Sequence, residues 1–170
     1  MLSEYPADRL IRNVIATRRQ TTDTEVEQII QRIASAPFDP RTDALVPLKD
    51  RGLFYQGVTL GPRAPALTYH LAKRVVGDRE WASGTTAVQY LVDLRSAILA
   101  PDSRLVLYRR RGGHVATVLT VNRLPAARLG LEAKAMILVV FSADRGTIIT
   151  GYQTAHSSPR NIPEDALWLK

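Results

Sequence analysis

The chain has 170 residues, 45% of them apolar, 23% charged and none cysteine. Such a length and composition suit one domain with its own core and exclude wholesale disorder or a collagen-like repeat; the missing cysteine excludes disulfide scaffolds, thiol nucleophiles and cysteine-ligated metals. Lys and Arg outnumber Asp and Glu by 23 to 16, a net charge of +7, which favours nucleic acid or acidic surfaces as partners.

The excess is uneven. Residues 1–60 hold eight basic and eight acidic side chains, so all +7 falls in residues 61–170. Nineteen of the basic residues are arginine, whose planar fork suits phosphate, although a GC-rich coding sequence also favours it. No apolar run reaches transmembrane length. The opening MLSEYPADRLIRNV carries Glu4 and no apolar core of signal-peptide length. The expectation is a cytoplasmic site of action, with export only by a non-classical route.

The spacing of Leu10, Ile11, Val14 and Ile15 predicts a helix over 7–19, and Val26, Ile29, Ile30 and Ile33 predict another over 24–36. Thr22 with Glu25, or Thr24 with Glu27, offers a capping box, and Pro37 and Pro40 end the second helix. This neutral hairpin is a packing layer or a face for a partner helix. Residues 37–52 read as loop and 53–60 as a short strand with Gly57 as a bulge. Helices are predicted over 65–76, stopped by Gly77, and 84–99, capped by Thr85 or Thr86. From Arg104 the period becomes two. Strands over 104–110, 114–121, 135–142 and 147–153 are joined by tight turns at 111–113 and 144–146. The apolar end of the tail, 166–169, packs back. The order predicts an α+β fold, with N-terminal helices on an antiparallel sheet of four strands, or five if 53–60 joins it. The sheet's other face is expected to be open to a ligand. Residues 1–52 form a helical hairpin with its connecting loop, and 53–170 an α+β unit that holds the candidate site.

Alternation along the last strand places Thr150 and Tyr152 on one face, with Gly151 between them permitting close approach. Ordinary strand propensity explains both residues equally. His70 lies in the helix LTYHLAKRVV with Lys73 and Arg74 one turn on. Imidazole is a common acid–base group, and adjacent cations favour its neutral form and suit a phosphate. The bland reading is a half-buried histidine beside solvated cations. His114 and His156 compete for the same role. The segment SGTT at 83–86 offers backbone N–H groups to an anion, with Thr85 as a contact, although plain capping explains it too. The run Arg109–Arg111 is a phosphate-steering patch or a solvated hairpin tip. Three scattered histidines without clustered carboxylates make a poor metal set, and no metal or cofactor is expected.

A helical histidine followed by basic residues (YHLAKR), a helix after a Gly/Thr-rich start, a hairpin and a closing VVFSADRGTIITGY resemble the end of bacterial toxin ribonuclease domains. These belong to the broad class of barnase, EndoU, colicin and RelE-like nucleases, here the RNase A-like branch of contact-dependent inhibition toxins. The resemblance covers about residues 65–153. The start at its own Met without a long carrier, and the extra N-terminal hairpin, depart from the pattern. The resemblance implies metal-independent cleavage of RNA, tRNA included, by 2′-OH attack, and a cognate immunity or antitoxin protein. Carried over residue by residue it implies His70, Thr150 and Tyr152 as catalytic. Lys73, Arg74 or Arg79 is its basic member, with Arg109 and Thr85 expected as further substrate contacts. The competing readings are a non-catalytic nucleic-acid-binding module and a protein-interaction or scaffold domain that uses the N-terminal hairpin.

Overall fold

A computed structural model describes all residues, 1–170. The first helix, α1 (Pro6–Thr17), starts with proline in its first turn, where no backbone donor is lost. The second, α2 (Asp23–Ser35), starts at the Thr22/Glu25 capping box, the first of the two predicted alternatives. Between the helices Asp8 is fully buried and takes two hydrogen bonds from Arg32, both 3.0 Å.

Two small two-stranded sheets follow. Strand β1 (Ala44–Leu45) pairs with β4 (Arg63–Ala64), and β2 (Phe54–Tyr55) pairs with β3 (Val58–Thr59). Residues 53–60 are therefore not a strand of the main sheet. Gln56 and Gly57 have φ of 50° and 79°, and they turn the segment back on itself as a two-residue hairpin loop rather than a bulge. Helix α3 (Ala66–Ala72) is shorter than predicted, because the chain continues as a π-helical turn over Lys73–Gly77. Helix α4 (Ala87–Leu99) is capped by Thr86 with Gln89 answering it.

The main sheet contains β5 (Arg104–Arg110), β6 (Gly113–Val121), β7 (Met136–Ser142), β8 (Thr147–Thr154) and β9 (Leu167–Trp168). All pairs are antiparallel, in the order β8-β7-β6-β5-β9. The fold is α+β, with helices first and the sheet after them. The fifth strand comes from the apolar tail. The edge of β8 is covered by the chain after α2: Asp39 N–H donates to the Ile148 carbonyl (2.8 Å), and Ile148 N–H donates to the Pro37 carbonyl (2.9 Å).

One core joins the helices to the inner sheet face. Ile11, Val14, Ile29 and Ile33 belong to the same cluster as Leu94, Ile98, Leu107 and Phe141, so the N-terminal hairpin is a packing layer. The outer face is not open, as the sequence suggested. β8 and β9 lie at opposite edges, so the intervening chain crosses the sheet and seats Ile162, Ala166 and Trp168 on Val106, Tyr108 and Leu138. An uncovered row of apolar strand residues is unfavourable in water, and the tail removes it. No helix is long and apolar enough to cross a membrane.

Candidate functional site

The π-helical turn after α3 sets the site. Widening the backbone there leaves Arg74 buried, 7% exposed, against the edge of β8. Its guanidinium is divided three ways. Nε donates to the Gly151 carbonyl (3.1 Å), Nη1 to Asp78 (2.8 Å) and Nη2 to Thr150 Oγ1 (3.0 Å). The same Thr150 oxygen lies 3.1 Å from His70 Nδ1. Tyr152 follows on the same side of the strand, its ring centre 5.0 Å from the Arg74 guanidinium carbon, while Asn161 of the crossing tail donates to its hydroxyl. The fold thus brings together His70, Arg74, Thr150 and Tyr152.

Gly151, between them, faces the opposite way. A Cβ there would overlap Leu94 of α4, so the close approach is made by a helix and not by a ligand. Tyr90 of α4 locks this point, donating to the Gly151 carbonyl (2.6 Å) and accepting from its N–H (3.1 Å).

His70 is packed against Phe38 (5.7 Å between ring centres) and Tyr69 (4.9 Å). Burial first, then the charges of Arg74 and Lys73, push its pKa down to about 3. The ring is therefore neutral near pH 7. With its proton on Nδ1 it donates to Thr150 and leaves the Nε2 lone pair free, and Nε2 makes no hydrogen bond within the protein. That tautomer is a base oriented by a hydroxyl.

Lys73 diverges from this group. Its Nζ lies 3.9 Å from Asp50, which also accepts from the Tyr69 hydroxyl (2.7 Å). The π-helical turn begins at Lys73, and across it the Lys73 and Arg74 side chains go to different walls. Arg79 turns away, exposed and paired with Glu132 (3.3 Å). Thr85 is buried and donates to the Ala82 carbonyl (2.7 Å), so its hydroxyl closes a turn. Arg109 sits opposite His114 at the far hairpin end. His114 is held by Asp144 (2.9 Å), and His156 is exposed beyond β8.

Phe38, Asp39 and Arg41 stand beside His70, and no sequence signal marked them within a Pro- and Asp-rich loop. Asp39 accepts from Arg41 (2.7 Å). Each cation around the ring has a carboxylate partner: Arg74 with Asp78, Lys73 with Asp50, and Arg41 with Asp39. The basic cluster expected beside His70 is neutralised in place. Comparisons with protein-family models, curated proteins and solved structures return no match.

Proposed function

We propose that this chain is a metal-independent, toxin-like endoribonuclease restrained by a cognate immunity or antitoxin protein. The observation that carries the reading is the 3.1 Å contact between His70 Nδ1 and Thr150 Oγ1, residues 80 positions apart, with Nε2 left unpaired. A neutral imidazole held this way suits proton transfer. Nε2 takes the proton of the ribose 2′-OH, the 2′ oxygen bonds to the adjacent phosphorus, and the bond from phosphorus to the 5′ oxygen breaks. The imidazolium returns the proton to the leaving 5′ oxygen. A cation with so low a pKa gives up its proton readily, and the negative phosphodiester raises the ring's basicity on binding. Arg74 holds Thr150 in place and lies over the ring of Tyr152.

The test is incubation of the purified protein with total RNA in EDTA, beside His70→Ala and Thr150→Ala. Wild type cleaves, and loss of the imidazole lowers the rate by about 10²–10⁴-fold. Intact RNA with the wild type, or undiminished cleavage by both variants, overturns the reading. The low basicity of His70 favours a second reading, a nucleic-acid-binding module without catalysis. Salt-sensitive binding without product decides for it.

A further inference from the structure

The sheet has a second charged region, at the end opposite the C-terminus of β8, where the β5–β6 and β7–β8 hairpins turn. Arg109, Arg110 and Arg111 are exposed on the first tip and Arg145 on the second. None of the four makes an ion pair, in contrast to every cation around His70. The nearest carboxylate on the tips, Asp144, is occupied on both oxygens. One accepts from the His114 backbone N–H (2.9 Å) and the other meets His114 Nδ1 (2.9 Å). This clamp ties the two tips together through Asp144.

Two further observations point to the ligand. Strand β9 begins at Leu167, opposite Leu107, so its pairing stops there and β5 runs on to Arg110 as an unpaired edge. Leu105 exchanges its hydrogen bonds with the β9 side, and alternation aims the Arg109 N–H outward as well. A backbone donor beside a guanidinium suits a phosphate oxygen. Beside Arg145 lies an open cleft of about 690 Å³ lined in part by Tyr5, Arg32 and Thr147. Tyr5 is 60% exposed, and the Arg32 guanidinium carbon, 3.7 Å from its ring centre, backs one face. The other face is free to take a planar ring. The charge of Arg145 reaches Asp39, beside His70, as the smallest of the influences on its carboxyl. Burial pushes the Asp39 carboxyl up, but hydrogen bonds from Arg41 and the charges of Arg41 and Arg145 bring it net down.

We propose that the hairpin-tip end is a docking surface for a single nucleic-acid strand, with phosphates on Arg109, Arg110, Arg111 and Arg145 and a base stacked on Tyr5. The surface goes beyond the proposed cleavage site and does not depend on it. Thr150 stands three residues along β8 from Thr147, about 10 Å at the rise of a strand, so a strand leaving Arg145 reaches His70 within a short run of nucleotides.

The test uses a fluorescent 2′-O-methyl RNA single strand, which lacks the attacking hydroxyl, so binding is read whether or not His70 supports cleavage. Anisotropy is measured across a salt series for the wild type, for a tip variant (R109Q, R110Q, R111Q and R145Q together) and for a control with R9Q, R19Q, R79Q and R123Q. The control removes the same charge from exposed arginines that are paired with Glu4, Glu25, Glu132 and Asp102. The tip variant loses about 3 units of log–log salt slope, at roughly 0.7 per phosphate contact on single strands. The control keeps most of the wild-type slope. Tyr5→Ala weakens the oligonucleotide on the order of tenfold. Equal loss in both variants, or no salt-sensitive binding by the wild type, overturns the proposal. Poly-glutamate binding as tightly as the oligonucleotide and indifferent to Tyr5→Ala also overturns it, in favour of an acidic protein partner.

Discussion

Thr150 shows how much one hydroxyl can organise. Its oxygen is shared by a buried guanidinium and an imidazole, so Thr150→Val removes the only group that satisfies both while keeping the side chain's shape. The expected cost is about 1–3 kcal/mol, because the buried donor of Arg74 loses its partner. Thr150→Ser restores most of it. Urea denaturation of the three proteins measures the difference, and a Val variant as stable as wild type refutes the role. His70 yields a second prediction. Its folded pKa, about 3, lies below the ordinary value of 6.5. Between those values the unfolded chain binds a proton that the folded chain does not, so stability falls as pH drops through that window and is full above it. His70→Asn should remove this component of the pH dependence, at most about 1.4 kcal/mol per pH unit for one proton. Unfolding curves at pH 7 and pH 4.5 for both proteins give the answer.

At the scale of elements, the π-helical turn and the edge of β8 carry the site. The spacing of His70, Lys73 and Arg74 predicts three residues on one side of a helix, and it assumes that the helix stays regular. The π-helical turn breaks that assumption, sending Arg74 inward to β8 while Lys73 goes to Asp50. Alternation did place Thr150 and Tyr152 together, because strand geometry depends only on parity. Gly151 was legible as a point of close approach, but only packing shows that α4 makes the approach. Gly151→Ala forces a methyl into Leu94 and should cost about 1–3 kcal/mol, read as a lowered urea midpoint. If α4 can retreat, the midpoint will not move. The capping box of α4 is a local feature, and Thr86→Ala should cost about 1 kcal/mol.

For the molecule as a whole, the core decides what can be separated. Ile11, Val14, Ile29 and Ile33 cover the same interior as Leu94 and Phe141. Residues 53–170 produced alone expose that interior and should show no cooperative thermal transition, where the full chain shows one. A sharp transition in the fragment overturns this. Charge tells a related story at the same scale. The +7 belongs to residues 61–170, yet the cations that surround His70 are matched by Asp39, Asp50 and Asp78. Four of the arginines without an ion pair, Arg109, Arg110, Arg111 and Arg145, are gathered at the hairpin tips.

Composition and periodicity alone determined the α+β order, the helical hairpin and the four-strand meander, along with the shared side of Thr150 and Tyr152. These follow from local rules: helical spacing, strand parity and turn residues act over a few neighbours. Only the tertiary structure decided that residues 53–60 leave the sheet, that the tail supplies its fifth strand and covers its outer face, and that Phe38, Asp39 and Arg41 stand beside His70. Each of those depends on apolar area and hydrogen-bonding groups meeting across tens of residues. Nothing in a short window of sequence records which surface will be buried by which.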